Sequence, residues 1–206
     1  MGGWEKFNKV AYWMLKAAYI NLLWILFTCL GLVVFGLFPS TIAMFTVVQK
    51  WFKKKDIRIF QTYWRMFRKE FIKGNGFGLI FLSLGYFLYY DFLLLQANHG
   101  SLQYLYPILV FILFVYILTL LFFFTVYVHF QLSFFQYLKQ AFLIAVVSPL
   151  ETLLILAAII LMYIMITILP GIIPLFPGSI LAFVTTWLSR RAFQKIKNKQ
   201  VKQSTK

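Results

Sequence analysis

The stretch Gly36–Lys73 determines how this chain is placed in a membrane: GLFPSTIAMFTVVQKWFKKKDIRIFQTYWRMFRKEFIK. It begins in apolar sequence, has a turn signal at Phe38-Pro39, and continues as a short apolar helix to Lys50. A basic amphipathic segment follows. Because membrane turn, membrane helix and surface helix are continuous here, the stretch also indicates which side of the bilayer its charges face.

The composition of the rest of the chain is that of a membrane protein. Hydrophobic residues make up 62% of the sequence, charged residues only 12%, and the mean hydropathy is +0.83, whereas soluble domains carry about 25% charged residues. Four apolar runs are nearly all long enough to cross a hydrocarbon core of ~30 Å: residues 17–38, 77–90, 107–128 and 142–169. We predict an all-α polytopic fold with one membrane domain over residues 1–194 and a basic, disordered cytoplasmic tail over 195–206.

The positive charge follows the ends of these runs. The 20 lysines and arginines give a net charge of +15, and they cluster in residues 6–16, 50–73 and 190–206, with Lys139 alone between. Basic residues flanking apolar segments are typical of the cytoplasmic side of a membrane, beside anionic lipid. This placement argues against a nucleic-acid-binding protein and favours contact with the lipid headgroups.

Residues 17–49 carry no charge and admit two interpretations. They form either one span and a loop, or a hairpin that turns at Phe38-Pro39, with Pro39 opening the second arm at Ser40–Phe52. The hairpin is favoured because it places all basic residues, and both termini, on the cytoplasmic side. An arm this short reaches only about 20 Å, so it is either re-entrant or lies in a thinned bilayer.

Residues 53–73 have the pattern of a basic amphipathic helix on the cytoplasmic side. Aromatic residues recur at helical spacing on one face: Phe60, Trp64, Phe67 and Phe71. Basic residues lie on the other: Arg58, Arg65, Arg68 and Lys69. This pattern predicts a helix in the headgroup layer, and the alternative is a docking surface for a cytoplasmic partner.

The remaining helices bring the expected number of membrane helices to about six, with further amphipathic helices at the interface. Two of the six are short arms that begin at a proline turn, one at Pro39 and one at Pro177. The turns resemble each other, since residues 37–42 read LFPSTI and residues 175–180 read LFPGSI. The likeness indicates either a parallel internal repeat or a coincidence in a low-complexity sequence.

Glu151 is the main candidate for intramembrane chemistry. If residues 142–169 form one helix, Glu151 lies ~13 Å from its inner end, near the middle of the bilayer. A carboxylate there must be protonated, paired or in a wet cavity. The two interpretations are a proton- or substrate-binding group and a neutral acid bonded to a neighbour such as Asn21 or Thr152.

Other polar residues have weaker functional signals. Asp91 is expected near the outer end of its helix in an interfacial role, and Asn21 is expected to form interhelical hydrogen bonds. His99 and His129 have no second ligand at metal spacing, and Cys29 is the single cysteine. Because the sequence has no nucleotide-binding loop, zinc motif or nucleophile elbow, we expect neither an enzyme nor a cofactor.

The opening stretch is similar to the YesL family of bacterial integral membrane proteins. The similar residues are Asn21-Leu22-Leu23-Trp24, residues 36–45, Lys50-Trp51, the aromatic face of residues 60–71, and Tyr89-Tyr90-Asp91. The resemblance implies a multi-pass plasma-membrane protein, associated in many members with carbohydrate uptake systems that contain ABC transporters. It supplies no catalytic or binding residues.

Two functions from different classes therefore remain. The first is a non-catalytic accessory or regulatory membrane protein of a carbohydrate uptake or polysaccharide utilisation system, with an ABC transporter as partner. The second is a small secondary transporter with Glu151 in a central cavity. The transporter requires polar groups around that cavity, whereas the accessory protein requires a packed interior and an exposed contact face.

Overall fold

The computed structural model describes residues 3–53, 57–97 and 104–204, and no β-strand occurs within them. They form eight α-helices: α1 Gly3–Leu30, α2 Val34–Phe52, α3 Ile59–Lys69, α4 Phe71–Ala97, α5 Tyr106–His129, α6 Phe134–Val147, α7 Pro149–Ile168 and α8 Pro177–Ser204. A short 3₁₀ turn, Pro170–Ile172, lies between α7 and α8. The prediction of an all-α fold is confirmed.

Four helices are long and apolar enough to cross a membrane, namely α1 over Val10–Leu30, α4 over Phe71–Gln96, α5 and α7. Most of their surface faces outward, since the apolar windows of α4 and α7 are each only 22% buried within the protein. Exposed apolar helix faces of this length are stable only against lipid. The other two predicted membrane helices correspond to α2 and to the first part of α8.

The turn between α1 and α2 lies at Gly31–Val33, earlier than predicted. Leu32 and Val33 adopt positive φ angles of 56° and 62°. The Leu32 N–H donates to the Cys29 carbonyl at 3.0 Å and the Val33 N–H to the Thr28 carbonyl at 2.9 Å. This pair of bonds is a Schellman motif, which satisfies the last carbonyls of α1 within the chain.

Pro39 does not open the second arm, so the predicted turn at Phe38-Pro39 is wrong. Pro39 lies inside α2, which therefore has 19 residues and spans about 28 Å. The residue is buried among the neighbouring helices, and Leu37, before it, already donates to the Val33 carbonyl at 2.9 Å. Pro177, by contrast, is the first residue of α8, so the two similar proline segments have different roles.

The centre of the bundle is α2, which contacts α1, α3, α4, α5 and α8. Its residues from Ile42 to Val48 are all buried. They contribute to two apolar cores, one with α1 and α3 around Ile20 and Phe27, the other with α4, α5 and α6 around Phe77 and Phe122. Phe124 and Val128 of α5 pack against both cores, so α5 joins the two halves of the bundle.

The aromatic face of α3 packs against α1 and α2. The Phe27 ring lies 5.0–5.1 Å from the rings of Tyr63 and Phe67, both of which are buried. The Tyr63 hydroxyl donates to the Ser40 carbonyl at 2.7 Å, and burial raises its pKa above the ordinary value. Phe60 and Trp64 remain partly exposed, so only the edge of the predicted lipid-facing stripe is free to contact lipid.

The predicted fifth helix is broken at Ser148 into α6 and α7. Ser148 has φ −122° and ψ 64°, outside the helical region, as expected for a residue that precedes a proline. Thr152 stabilises the break, because its hydroxyl is within 2.9 Å of the Ala145 carbonyl and 3.0 Å of the Ser148 carbonyl. The chain from Lys195, expected to be disordered, continues α8 as a helix to Ser204.

Gly36 is required by the close approach of α1 and α2. A Cβ atom there would lie 2.3 Å from the Thr28 carbonyl oxygen, whereas a Cβ on Gly171 would have no atom within 4 Å. We predict that Gly36→Ala lowers the free energy of unfolding by about 1–3 kcal/mol, and the melting temperature by several degrees, while Gly171→Ala does not. Thermal melting of the detergent-purified variants tests this, and equal melting temperatures would contradict it.

Candidate functional site

Glu151 lies in the first turn of α7, where its side chain forms an ion pair with Lys195 of α8. Its predicted position deep in a long helix is wrong, because the helix break at Ser148 places it only two residues after the start of α7 at Pro149. A carboxylate is favourable in a first helical turn. The Glu151 side chain is 4% exposed, whereas that of Lys195 is 53% exposed. The ion pair therefore joins a buried carboxylate to a lysine at the surface.

Asn21 connects α1 with the start of α8. Its amide nitrogen donates to the Pro174 carbonyl at 2.9 Å, and its amide oxygen accepts from the Ser179 N–H at 3.2 Å. These bonds satisfy one carbonyl of the α7–α8 turn and one of the free N–H groups at the start of α8. Asn21 is 1% exposed, so it is a buried structural tether between two helices distant in sequence.

Asp91 and the basic residues of α3 lie at the surface. Asp91 is half-buried near the end of α4, next to Phe92, whose ring lies 5.5 Å from that of Tyr106 on α5. The basic face of α3 consists of the exposed residues Arg58, Arg65, Arg68 and Lys69. Arg68 stacks on Trp64, with its guanidinium carbon 5.1 Å from the ring centroid. His99 lies outside the described residues.

Glu70, the buried acid at the junction of α3 and α4, is not among the site residues predicted from the sequence. The Tyr127 hydroxyl of α5 donates to one Glu70 carboxylate oxygen at 2.5 Å, and Lys69 lies 3.9 Å from the other. A signal for it exists, because Tyr63, Phe67 and Glu70 follow each other at helical spacing on one face. That face is the buried one.

A polar cavity of about 450 Å³ opens beside Glu70. Its polar lining comes from α2, α3, α4, α5 and the α5–α6 region: Thr46, Gln49, Lys69, Glu70, Lys73, Tyr127, Gln131 and Tyr137. We call this space the Glu70 cavity. Glu151 does not line it, so the structure separates the predicted carboxylate from this cavity.

His129 lies between the Glu70 cavity and α8. Its Nδ1 is 3.2 Å from the Gln49 side-chain nitrogen, and its ring packs on the Phe193 ring with a centroid separation of 4.6 Å. These contacts bring the ends of α2 and α5 to the middle of α8, and we call this part of the bundle the Gln49 end. Among the described residues, no cluster of three or more His, Cys, Asp or Glu side chains has a metal-binding arrangement.

Removal of the Asn21 amide tests the tether. Asn21→Ala leaves the Pro174 carbonyl and the Ser179 N–H without their partner, and we expect a loss of about 1–3 kcal/mol in unfolding free energy. Asn75→Ala is the matched control, since among the described residues the Asn75 amide bonds to the Phe71 carbonyl of its own helix. Denaturant titration of both variants in detergent is the measurement, and equal midpoints would contradict the proposed role.

A double-mutant cycle measures the Glu151–Lys195 pair. Lys195→Met leaves a buried carboxylate unpaired, so we expect Glu151→Gln to offset part of its destabilisation. The expected coupling energy is about 1–2 kcal/mol, because the half-exposed lysine is partly screened by water. Lys197→Met in place of Lys195→Met provides the control and is expected to be additive with Glu151→Gln. An additive cycle for Lys195 would show that the pair contributes nothing to stability.

Comparison with known proteins identifies the family. The family described as "Protein of unknown function, DUF624" matches residues 17–92. The Bacillus subtilis protein "Uncharacterized protein YesL" is 34% identical over 95% of this chain and 93% of its own length. "Uncharacterized protein YteU" and "Uncharacterized protein YesV" of the same organism are 33% and 35% identical, each over 88% of this chain and over 82% and 88% of their own lengths. No solved structure matches the chain. Identities of 33–35% to three related proteins over most of the chain, together with the helical membrane fold, mean that this chain belongs to the YesL-like family of unknown function.

Proposed function

We propose that the protein is a non-catalytic accessory or regulatory component of a bacterial carbohydrate uptake or polysaccharide utilisation system. In this proposal it lies in the plasma membrane with both termini in the cytoplasm. Its working surface is the basic face of α3, which contacts a membrane partner such as a carbohydrate ABC transporter. The family resemblance motivates the link to carbohydrate uptake.

The observation that carries the proposal is that the Glu151 carboxylate is occupied by an ion pair with Lys195. A transporter that uses Glu151 needs the carboxylate to be open to a cavity and to alternate between partners. Here the carboxylate is buried in an ion pair at the start of α7, and it does not line the Glu70 cavity. An ion pair of this kind is a structural link between α7 and α8.

The placement of basic residues supports the cytoplasmic assignment of the Gln49 end. Lys69 and Lys73 line the Glu70 cavity together with Gln49, and Arg190 of α8 stacks on Phe52, the last residue of α2. Basic residues concentrated near one end of a helical membrane bundle are typical of its cytoplasmic side. The exposed cations of α3 then face either anionic headgroups or an acidic partner surface.

A second candidate, a small secondary transporter, is favoured by Glu70. This acid is buried, bonded to Tyr127 and open to a polar cavity, which is the arrangement expected of a proton- or substrate-binding carboxylate. With no nucleotide-binding motif in the sequence, such a transporter depends on an ion gradient. The accessory candidate therefore assigns the functional role to Arg65 and its neighbours on α3, whereas the transporter candidate assigns it to Glu70.

Uptake of labelled oligosaccharides by a deletion strain tests the proposal. The strain is complemented with wild type, Arg65→Glu, Glu70→Gln or Glu151→Gln, and membrane levels are measured for each. We expect deletion to lower uptake, Glu151→Gln and Glu70→Gln to restore it, and Arg65→Glu to fail at a normal membrane level, because charge reversal disrupts an electrostatic contact.

Lys139→Glu is the matched control, since Lys139 is an exposed cation on a different helix, α6. Restoration by Arg65→Glu together with failure of Glu70→Gln would favour the transporter instead. Normal uptake in the deletion strain would contradict both candidates.

A further inference from the structure

A groove between α6 and α8, below the end of α5, is separate from the Glu70 cavity. Its volume is about 570 Å³, within the range of pockets that hold small ligands. Its apolar lining consists of Phe130, Leu143, Ile144, Val147, Phe193 and Ile196. Leu143 and Val147 are 41% and 53% exposed, so the apolar wall opens onto the surface of α6. We call this space the α6–α8 groove.

Positive charge lines the other part of the α6–α8 groove. Arg190 and Lys197 come from one face of α8, and the part of the chain that the structure describes contributes no acidic residue to the lining. These two residues are seven apart, or about 10 Å along the helix. The groove therefore combines an apolar wall, formed by α6 together with Phe193 and Ile196 of α8, with two cations of α8. This lining is complementary to an anionic amphiphile.

Arg190 has unused hydrogen-bonding capacity at this position. Its Nη1 atom is buried and has no hydrogen-bond partner among the described residues, although its guanidinium stacks on Phe52. A buried guanidinium N–H without an acceptor costs free energy. Arg190 as a whole is half-buried and lines the groove, and guanidinium groups bind phosphate oxygens with high geometric specificity.

The nearby acid does not neutralise these cations. Glu151 lies close to the groove, since Val147 ends α6 and Pro149 begins α7, but its carboxylate is paired with Lys195. Lys195 is not among the residues that line the groove. The Glu151–Lys195 pair therefore links α7 to α8. The positive charges of Arg190 and Lys197 belong to the lining of the groove instead.

We propose that the α6–α8 groove binds one anionic phospholipid, with its phosphate near Arg190 and Lys197 and an acyl chain along Leu143, Ile144 and Val147. Basic pockets between membrane helices are known places for anionic lipid headgroups. The apolar wall distinguishes this ligand from free phosphate, which has nothing to bury there. This site is independent of the uptake function proposed above.

Lipid retention by the full-length protein tests the site. The detergent-purified protein is titrated with phosphatidylglycerol or phosphatidylcholine, and bound lipid is counted by native mass spectrometry. We expect one phosphatidylglycerol to bind in preference to phosphatidylcholine. The double variant Arg190→Gln/Lys197→Gln is expected to weaken this binding by about tenfold or more, whereas Lys139→Gln/Arg191→Gln, which removes the same charge from exposed residues outside the lining, is not.

A second pair of variants tests the apolar wall without removing charge. Val147→Trp fills the groove from an exposed position, whereas Val146→Trp, at a residue 52% exposed on the same helix, lies outside the lining. We expect only Val147→Trp to reduce phosphatidylglycerol binding. Equal binding of the two lipids, equal effects of the paired variants, or equally good competition by glycerol phosphate, which lacks acyl chains, would each overturn the proposal.

Discussion

The structure depends on the burial of α2, because a helix surrounded by other helices has no water with which to satisfy its polar side chains. Each hydroxyl and amide on it therefore needs a partner within the protein. Ser40 bonds to the Trp24 carbonyl and lies 2.7 Å from the Tyr63 hydroxyl. Thr46 bonds to a carbonyl of its own helix, and Gln49 lies within hydrogen-bonding distance of His129. These bonds fix where α1, α3 and α5 sit around α2.

The same requirement explains why the two buried acids, Glu70 and Glu151, occur at a helix junction and after a helix break. Glu70 lies at the α3–α4 junction and Glu151 follows the α6–α7 break, and each meets a partner from a helix that is distant in sequence. A break in a helix exposes backbone groups and makes room for a side chain, whereas a continuous apolar helix does neither. Both the proposed function and the proposed lipid site therefore involve residues at the Gln49 end, where several helices end or break.

Much of the fold follows from local pattern and could be predicted. Long apolar runs give helices, and the spacing of aromatic residues over 60–71 correctly indicated an amphipathic α3. The turn at Gly31–Val33 was missed because Leu32 and Val33 are unusual in a left-handed conformation, whereas Pro39 has a strong turn propensity that the surrounding helices override. Glu151 is predicted too deep when residues 142–169 are taken as one helix, although Pro149 is a local signal for the break at Ser148. The pairing of Glu151 with Lys195, which lies 44 residues away, has no signal in the local sequence.

The tether formed by Asn21 has a consequence for biosynthesis. Its two partners, Pro174 and Ser179, follow it by 153 and 158 residues. At a translation rate of about 5–20 residues per second, they emerge from the ribosome roughly 8–30 seconds after Asn21. During that interval the first helix carries an amide without its final partners, so its insertion is separated in time from its final packing. The α7–α8 hairpin, which is synthesised after α1, completes the environment of α1.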